Sequence, residues 1–198
     1  MKQERASTRL RRRAVLGAAL DCFSEQDVES VSIAEICKRS GASVGSVYHH
    51  FGSKEGIVAA LIADGLQAHL DALQDALAQA GDDPRRGIEA IVGSLIGWVE
   101  SNPGWAMFIY ANLNHSGASS TNAVARVNQR YAQTIKGYFE PLIEARRLRA
   151  VPMECWPSLM TAPVHDYARR WLRGQVEHAP SMHRQVFADA AWRIVAPG

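Results

Sequence analysis

Apolar residues recur at steps of three and four along most of the chain, and no stretch alternates with the two-residue rhythm of a half-buried strand. Val15, Leu16, Ala19, Leu20 and Phe23 mark a first helix over about residues 8–24, after a polar start at 1–7 that is expected to be disordered. Two short helices follow, one carrying Ile33, Ile36 and Cys37, the next Val44, Val47 and Phe51. Ile57, Leu61, Leu66, Leu70, Leu73 and Leu77 predict a long helix over about 54–80. Gly81-Asp82-Asp83-Pro84 breaks it, with Pro84 suited to a first helical position. Ile88, Ile91, Val92, Leu95 and Trp98 carry the next helix to about Ser101. Asn102-Pro103-Gly104 interrupts again, and Trp105–Asn112 reads as a short aromatic helix. His115–Ser120 is a predicted loop.

Beyond it, Val124, Val127, Tyr131, Ile135, Tyr138 and Leu142 predict a long helix from about 121, kinked at Pro141 and closed by the basic turn Arg146-Arg147-Leu148-Arg149. Trp156, Met160, Val164, Tyr167 and Trp171 give another over about 154–173, with a second kink at Pro163. Met182, Val186, Phe187, Ala190 and Ile194 give a last one over about 181–195. The expected fold is all-α, about nine helices, divided into a head at 1–53 and a larger body at 54–198.

Residues 32–54 carry the most local information. Ser32 followed three residues later by Glu35 is a capping-box signature, and Gly41 supplies a residue that tolerates a left-handed turn. Ser43 can cap the helix Val44–Phe51, whose polar face holds Gly45, Ser46, Tyr48, His49 and His50. A short, donor-rich helix face after a tight helix-helix turn suits a DNA major groove. A serine, tyrosine or histidine there reaches base edges or phosphates, and a lysine opening the next helix is a point charge for a phosphate.

Charge sharpens this picture. The whole chain of 198 residues has a net charge of only +2, but Met1–Arg13 alone carries about +5. Six basic residues there (Lys2, Arg5, Arg9, Arg11, Arg12, Arg13) form a candidate phosphate-contacting arm. The apolar run VLGAAL is too short for a signal peptide or a span, so no membrane role is expected and the protein is placed in the cytoplasm. Cys22, Cys37 and Cys155 are odd in number and widely separated, as free thiols rather than a disulfide framework. His165 and Asp166 are neighbours, so on a helix they point about 100° apart. His69, His115, His178 and His183 lack ligand spacing. No catalytic residue, metal site or cofactor is expected.

The segments Gly41-Ala42-Ser43, Gly45-Ser46-Val47-Tyr48-His49-His50-Phe51 and Ser53-Lys54-Glu55 resemble the DNA-binding domain of the tetracycline-repressor (TetR) family of bacterial regulators. The resemblance is specific over the first 60 residues; beyond them it extends only to helix order and length. It implies that Ser46 and His49 face bases and that Gly45 permits close approach. Ser43, Tyr48 and Lys54 would hold the DNA backbone, with Ser32 adding a contact at its helix start. His50 stays open between packing and DNA contact. The family usually has Gly where this chain has Asp27, a residue that also tolerates positive φ.

The resemblance further implies a small-molecule effector in the body and a homodimer through the last two helices, reading a palindromic operator in double-stranded DNA. The aromatic-rich candidates for the effector site are Trp98, Trp105, Phe108, Asn112, Tyr131, Tyr138, Trp156, Met160 and His165, with Asn114 nearby; they suit an apolar or aromatic ligand. The expected function is a ligand-released repressor. Two other readings are an architectural or division-linked DNA-binding protein without effector, and a helical small-molecule binder that leaves DNA alone.

Overall fold

In a computed structural model, residues 2–113 and 122–197 are described, with side chains from residue 8 onward. The described residues form nine α-helices and no strand: α1 (Lys2–Glu25), α2 (Ile33–Ser40), α3 (Val44–Phe51), α4 (Lys54–Ala80), α5 (Pro84–Ser101), α6 (Pro103–Asn112), α7 (Asn122–Glu144), α8 (Ala162–Leu172) and α9 (Arg184–Val195). The loop expected at His115–Ser120, together with Asn114, lies outside the described residues.

Several boundaries differ from the sequence reading. Helix α1 already includes Lys2–Ser7, where disorder was expected. Asp27 does not adopt a left-handed backbone, since Arg146 (φ 55°) is the one described non-glycine residue with positive φ. The α1–α2 connection closes instead through Ser30 and Val31 N–H groups donating to the Asp27 carbonyl, at 3.0 and 3.3 Å. The single helix expected over 154–173 is three pieces: a 3₁₀ turn at Met153–Cys155, a π-helical turn at Pro157–Thr161, then α8. Pro157 and Pro163 each stand in the first turn of a piece, where a missing N–H costs nothing, rather than in the middle of a helix. Pro141 is tolerated inside α7, which runs three residues further before Arg146 turns it off.

The chain divides into two compact units, Met1–Gly65 with Gly104–Ala125, and Leu66–Pro103 with Arg126–Gly198. In the first, the buried stripe of α1 (Val15, Leu16, Ala19, Cys22) joins Ile36, Val47, Ile57, Leu61, Ile62, Ala106, Phe108 and Ile109 in one core. The Trp105 indole N–H donates to the Leu61 carbonyl at 2.8 Å, and Phe108 stacks on Phe23 with centroids 5.5 Å apart. Such pins fix α6 against α4 and α1. Within this unit the Arg12 guanidinium forks onto Asp64 at 2.6 and 3.0 Å, and Arg39 forks onto Glu25.

In the second unit the apolar faces of α5 (Ile88, Ile91, Val92, Leu95, Ile96, Val99), α7 (Ile135, Phe139, Leu142), the end of α4 (Leu70, Leu73, Leu77) and α8 (Val164, Ala168) close a separate core. Ala188, Ala191 and Val195 turn the buried side of α9 into it. Arg85 ties α5 to α9 through Asp189 and lies over the Trp192 ring at 5.4 Å. Helix α4 is apolar and long enough to span a membrane, yet more than half of that window is buried inside the chain.

Candidate nucleic-acid interface

The geometry of α2 and α3 follows from three short-range devices. Ser32 accepts from the Glu35 backbone N–H at 3.2 Å, and the Glu35 carboxylate accepts from the Ser32 N–H at 2.8 Å, completing the capping box. Those hydrogen bonds hold the Glu35 carboxyl below the ordinary carboxylate range. Gly41 then takes φ 70°, a backbone that a β-carbon would strain, and stops α2. Ser43 caps α3, accepting from the Ser46 N–H at 3.2 Å.

With α3 so fixed, Val47 points inward and is 1% exposed. The other side presents Val44, Gly45, Tyr48 and His49 to solvent, with Ser46 half-buried beside them. Val44 corrects the sequence reading, which counted it on the packing face: it is 48% exposed, and Tyr48 is 51% exposed. Val44 opens the helix a turn before Val47, where no core residue covers it. An exposed aliphatic group at the first position of such a helix has one matching feature in a major groove, the thymine C5-methyl. Its exposure was not legible from periodicity, which put it on the same stripe as Val47 and Phe51.

Gly45 is also explained better from outside the chain than from within it. A β-carbon at Gly45 would meet nothing within 4 Å, and its φ is not positive. Nothing in the protein requires glycine there, although glycine weakens a helix. His50 is half-buried, edge-on to His49 at 5.2 Å and to Phe51 at 6.3 Å, so it props its neighbours from the rim of the face.

Beside this face, Arg11, Ala14, Ser40, Gly41, Ala42, Ser43 and Ser46 line a cleft of about 300 Å³. It combines a guanidinium, three hydroxyls and the positive pole of α3, the donors that suit a phosphate oxygen. Arg9, Arg11 and Arg13 are exposed on α1, whereas Arg12 is held by Asp64 and lies 5.9 Å over the Phe51 ring. Lys54 is partly engaged as well. Its ammonium donates to the Glu29 and Val31 carbonyls at 2.9 and 3.0 Å, bracing the loop that leads into α2 and leaving one N–H for a phosphate. Ser32 is exposed at the mouth of α2.

The nine candidate effector residues fall in both units. In the first, Trp105 and Phe108 make the pins already described, and the Asn112 amide donates to the Phe108 carbonyl at 2.9 Å. In the second, Trp156 donates to the Val151 carbonyl at 3.2 Å, Tyr138 donates to the Asp83 carbonyl at 3.1 Å, and Met160 is buried at 2% exposure. Trp98 and Tyr131 gather around His69, with ring centroids 6.0 and 5.9 Å away. Burial, then the charge of His165, lowers the His69 pKa from 6.5 to about 4. Burial, then Arg169, takes His165 to about 4, and burial pushes Tyr131 up to about 12. The sequence reading passed over His69. Its signal was position: it lies three residues after Leu66 and four before Leu73, a histidine on an apolar stripe. A second, shallow concavity of about 540 Å³ is lined by Glu140, Ile143, Glu144, Ala150, Val151, Pro152 and Met153, none of them an effector candidate.

Comparison with known proteins matches residues 15–61 to the family described as bacterial regulatory proteins, tetR family. The HTH-type transcriptional regulator BetI of Stenotrophomonas maltophilia is 35% identical over 83 residues, 42% of either chain. UidR of Escherichia coli K12, also an HTH-type transcriptional regulator, is 44% identical over 62 residues, 31% of this chain and 30% of that protein. The matched region therefore spans less than half the length of these relatives. Among solved structures, a TetR family transcription regulator from Marinobacter aquaeolei VT8 superposes with TM-score 0.79 over all of both chains, at 22% identity. The transcriptional regulator FadR of Bacillus subtilis, solved in complex with stearoyl-CoA, superposes at TM-score 0.79 with 11% identity, over 90% of this chain and 96% of that one. These likenesses establish the fold.

Proposed function

We propose, for a chain that belongs to the tetR family of bacterial regulatory proteins, a cytoplasmic homodimeric repressor that leaves its operator when a small apolar or aromatic molecule binds. The observation that carries the DNA-binding half is the outward face of α3: Val44, Gly45, Tyr48 and His49 exposed, beside a cleft with Arg11 that has room for a phosphate. Val44, Ser46 and His49 read bases, Gly45 admits the DNA closely, and Ser43, Tyr48 and Arg11 hold phosphates. Ser32 adds a contact at the start of α2. Lys54 acts chiefly as a brace and offers its remaining N–H to the backbone. In this reading residues 1–53 are the DNA-binding head and 54–198 the effector and dimer body.

Dimerisation is supported by α9 and the 3₁₀ turn at Pro180–His183 before it. Met182 and Val186 are 73% and 65% exposed, and Ala190 continues the same stripe one turn on. Apolar side chains at such spacing match an isologous contact made by α8 and α9 with a second copy. A two-fold dimer presents two α3 helices to half-sites about one DNA turn apart, hence a palindromic operator. Release requires the effector to bind the DNA-incompetent arrangement more tightly, and DNA then weakens effector binding by the same factor.

The test is fluorescence anisotropy on the DNA upstream of the protein's own gene, at two salt concentrations, with aromatic and acyl compounds added. Saturable, sequence-specific binding that one compound abolishes is the expected result. Binding that is weak, nonspecific and steeply salt-dependent would overturn the operator reading. Specific binding that no compound disturbs would favour a DNA-binding protein without effector.

A further inference from the structure

Two polar atoms in the second unit are buried and have no hydrogen-bond partner: Nε2 of His69 and Nε1 of Trp98. They belong to adjacent side chains, with ring centroids 6.0 Å apart, and Tyr131 closes on the same imidazole from another side. His69 is 8% exposed. Stranding a buried donor or acceptor costs stability, and an apolar side chain of the same shape would avoid that cost. Two such atoms side by side in an aromatic cluster are therefore a sign of a partner that arrives from outside.

The chemistry of the two atoms restricts that partner. The indole N–H is only a donor, so the ligand carries an acceptor. The imidazole nitrogen donates or accepts according to its tautomer, so the ligand group opposite it is of the amide or hydroxyl type. His69 is 8% exposed and its surroundings keep it neutral, so a charged ligand group would give up its hydration there without a counter-charge from the imidazole. The rings of Trp98 and Tyr131 supply apolar walls for a flat body.

We infer that this body holds an uncharged aromatic effector with a carbonyl or hydroxyl acceptor, bound to Trp98 Nε1 and His69 Nε2. The inference rests on the effector-responsive reading above and narrows it, away from acyl thioesters of a phosphorylated carrier or free fatty acids. The rings close on one another in this structure, so the ligand enters by separating them. His69 lies on α4, the helix that Lys54 opens, so the displaced side chain sits on the element braced to the α1–α2 loop.

The test uses the full-length protein without DNA and three probes of similar size: acetanilide, 3-phenylpropanoate and propylbenzene. Binding is followed by ligand-observed NMR and by thermal shift, on the wild type and on Trp98→Phe and His69→Phe. Acetanilide is expected to bind best, and Trp98→Phe to weaken it about tenfold while leaving propylbenzene unchanged. The variants should be at least as heat-stable as the wild type, which a purely structural role for these atoms would not give. Equal or better binding of the carboxylate or the hydrocarbon, no binding of any probe, or acetanilide binding untouched by Trp98→Phe would each overturn the inference. If His69→Phe fails to fold, Trp98→Phe carries the test. Operator release is measured separately by anisotropy, so acetanilide binding without release would refute the repressor reading and leave this site standing.

Discussion

The exposure of Val44 leads to a prediction that one methyl group can decide. Fully burying a valine side chain is worth about 1.5–3 kcal/mol, and Val44 has roughly half of its surface to give, so its contact with a thymine methyl is worth about 1 kcal/mol per protomer. A dimer on a palindrome makes the contact twice, so Val44→Ser should weaken operator binding by about 2 kcal/mol, or roughly 30-fold. Because about half of the side chain is open to solvent and none of it lies in the core, its melting temperature should change little. The assay first recovers a preferred site by in vitro selection, then replaces each thymine pair symmetrically with uracil, which removes only the C5-methyl. One symmetric pair should cost the wild type about 30-fold and cost the Val44→Ser protein nothing further. Uracil effects that persist unchanged in Val44→Ser, or a wild type indifferent to every uracil, would refute the argument. A loss of melting temperature in Val44→Ser would refute its premise, that the residue faces outward.

Four other perturbations separate roles that look alike. Gly45→Ala meets open space inside the chain, so it should leave stability unchanged or raise it by a few tenths of a kcal/mol while lowering operator affinity; titration calorimetry and thermal melts read the two effects independently. Lys54→Met removes both hydrogen bonds to the α1–α2 loop, so it should destabilise the head by about 1–2 kcal/mol and speed amide exchange near Val31; a residue that only touched phosphate would instead lower the salt slope of DNA binding by about one with no change in the melt. Met182→Glu with Val186→Glu should produce a folded monomer in sedimentation, since both side chains are exposed within the protomer; an unchanged dimer would place the interface elsewhere. The histidines give a pH dependence whose sign is fixed. His69 is kept neutral in the folded chain down to about pH 4, while the unfolded chain takes up its proton near 6.5. Stability is therefore full above about pH 6.5 and falls as pH drops towards 4, by on the order of 3 kcal/mol for His69 alone. Urea midpoints over that window should decline more steeply for the wild type than for His69→Phe, and parallel curves would contradict the burial of His69.

The signals that reached the sequence were those with short range. Ser32 with Glu35, Gly41, and Ser43 set caps and a turn from neighbours within four residues, and the structure realises each of them. The step of three and four was enough to find α4 to α7 and α9, but not the 3₁₀ and π turns ahead of α8, because burying one face of a helix is what repeats the pattern. The same reasoning failed where two outcomes share a period. Val44 and Val47 lie on one stripe, and only the packing of α3 reveals that one is core and the other open. Pro163 was read as a kink inside a helix, because a proline in the first turn of a new piece looks the same in sequence as one in the middle of an old piece.

What the sequence determined by itself is thus the order and type of the elements, the short helix after the tight turn and the residue types on its polar face, all consequences of local backbone preference and of one-dimensional periodicity. Only the tertiary structure decided which donors are already engaged: Arg12 by Asp64, Lys54 by two carbonyls, Trp105 by Leu61, Trp156 by Val151. It alone singled out His69, and it alone showed that a polar atom of His69 and one of Trp98 are buried with no partner. A hydrogen bond joins residues 23 to 52 positions apart in several of these cases, and no pattern along a chain encodes which distant carbonyl a side chain will meet.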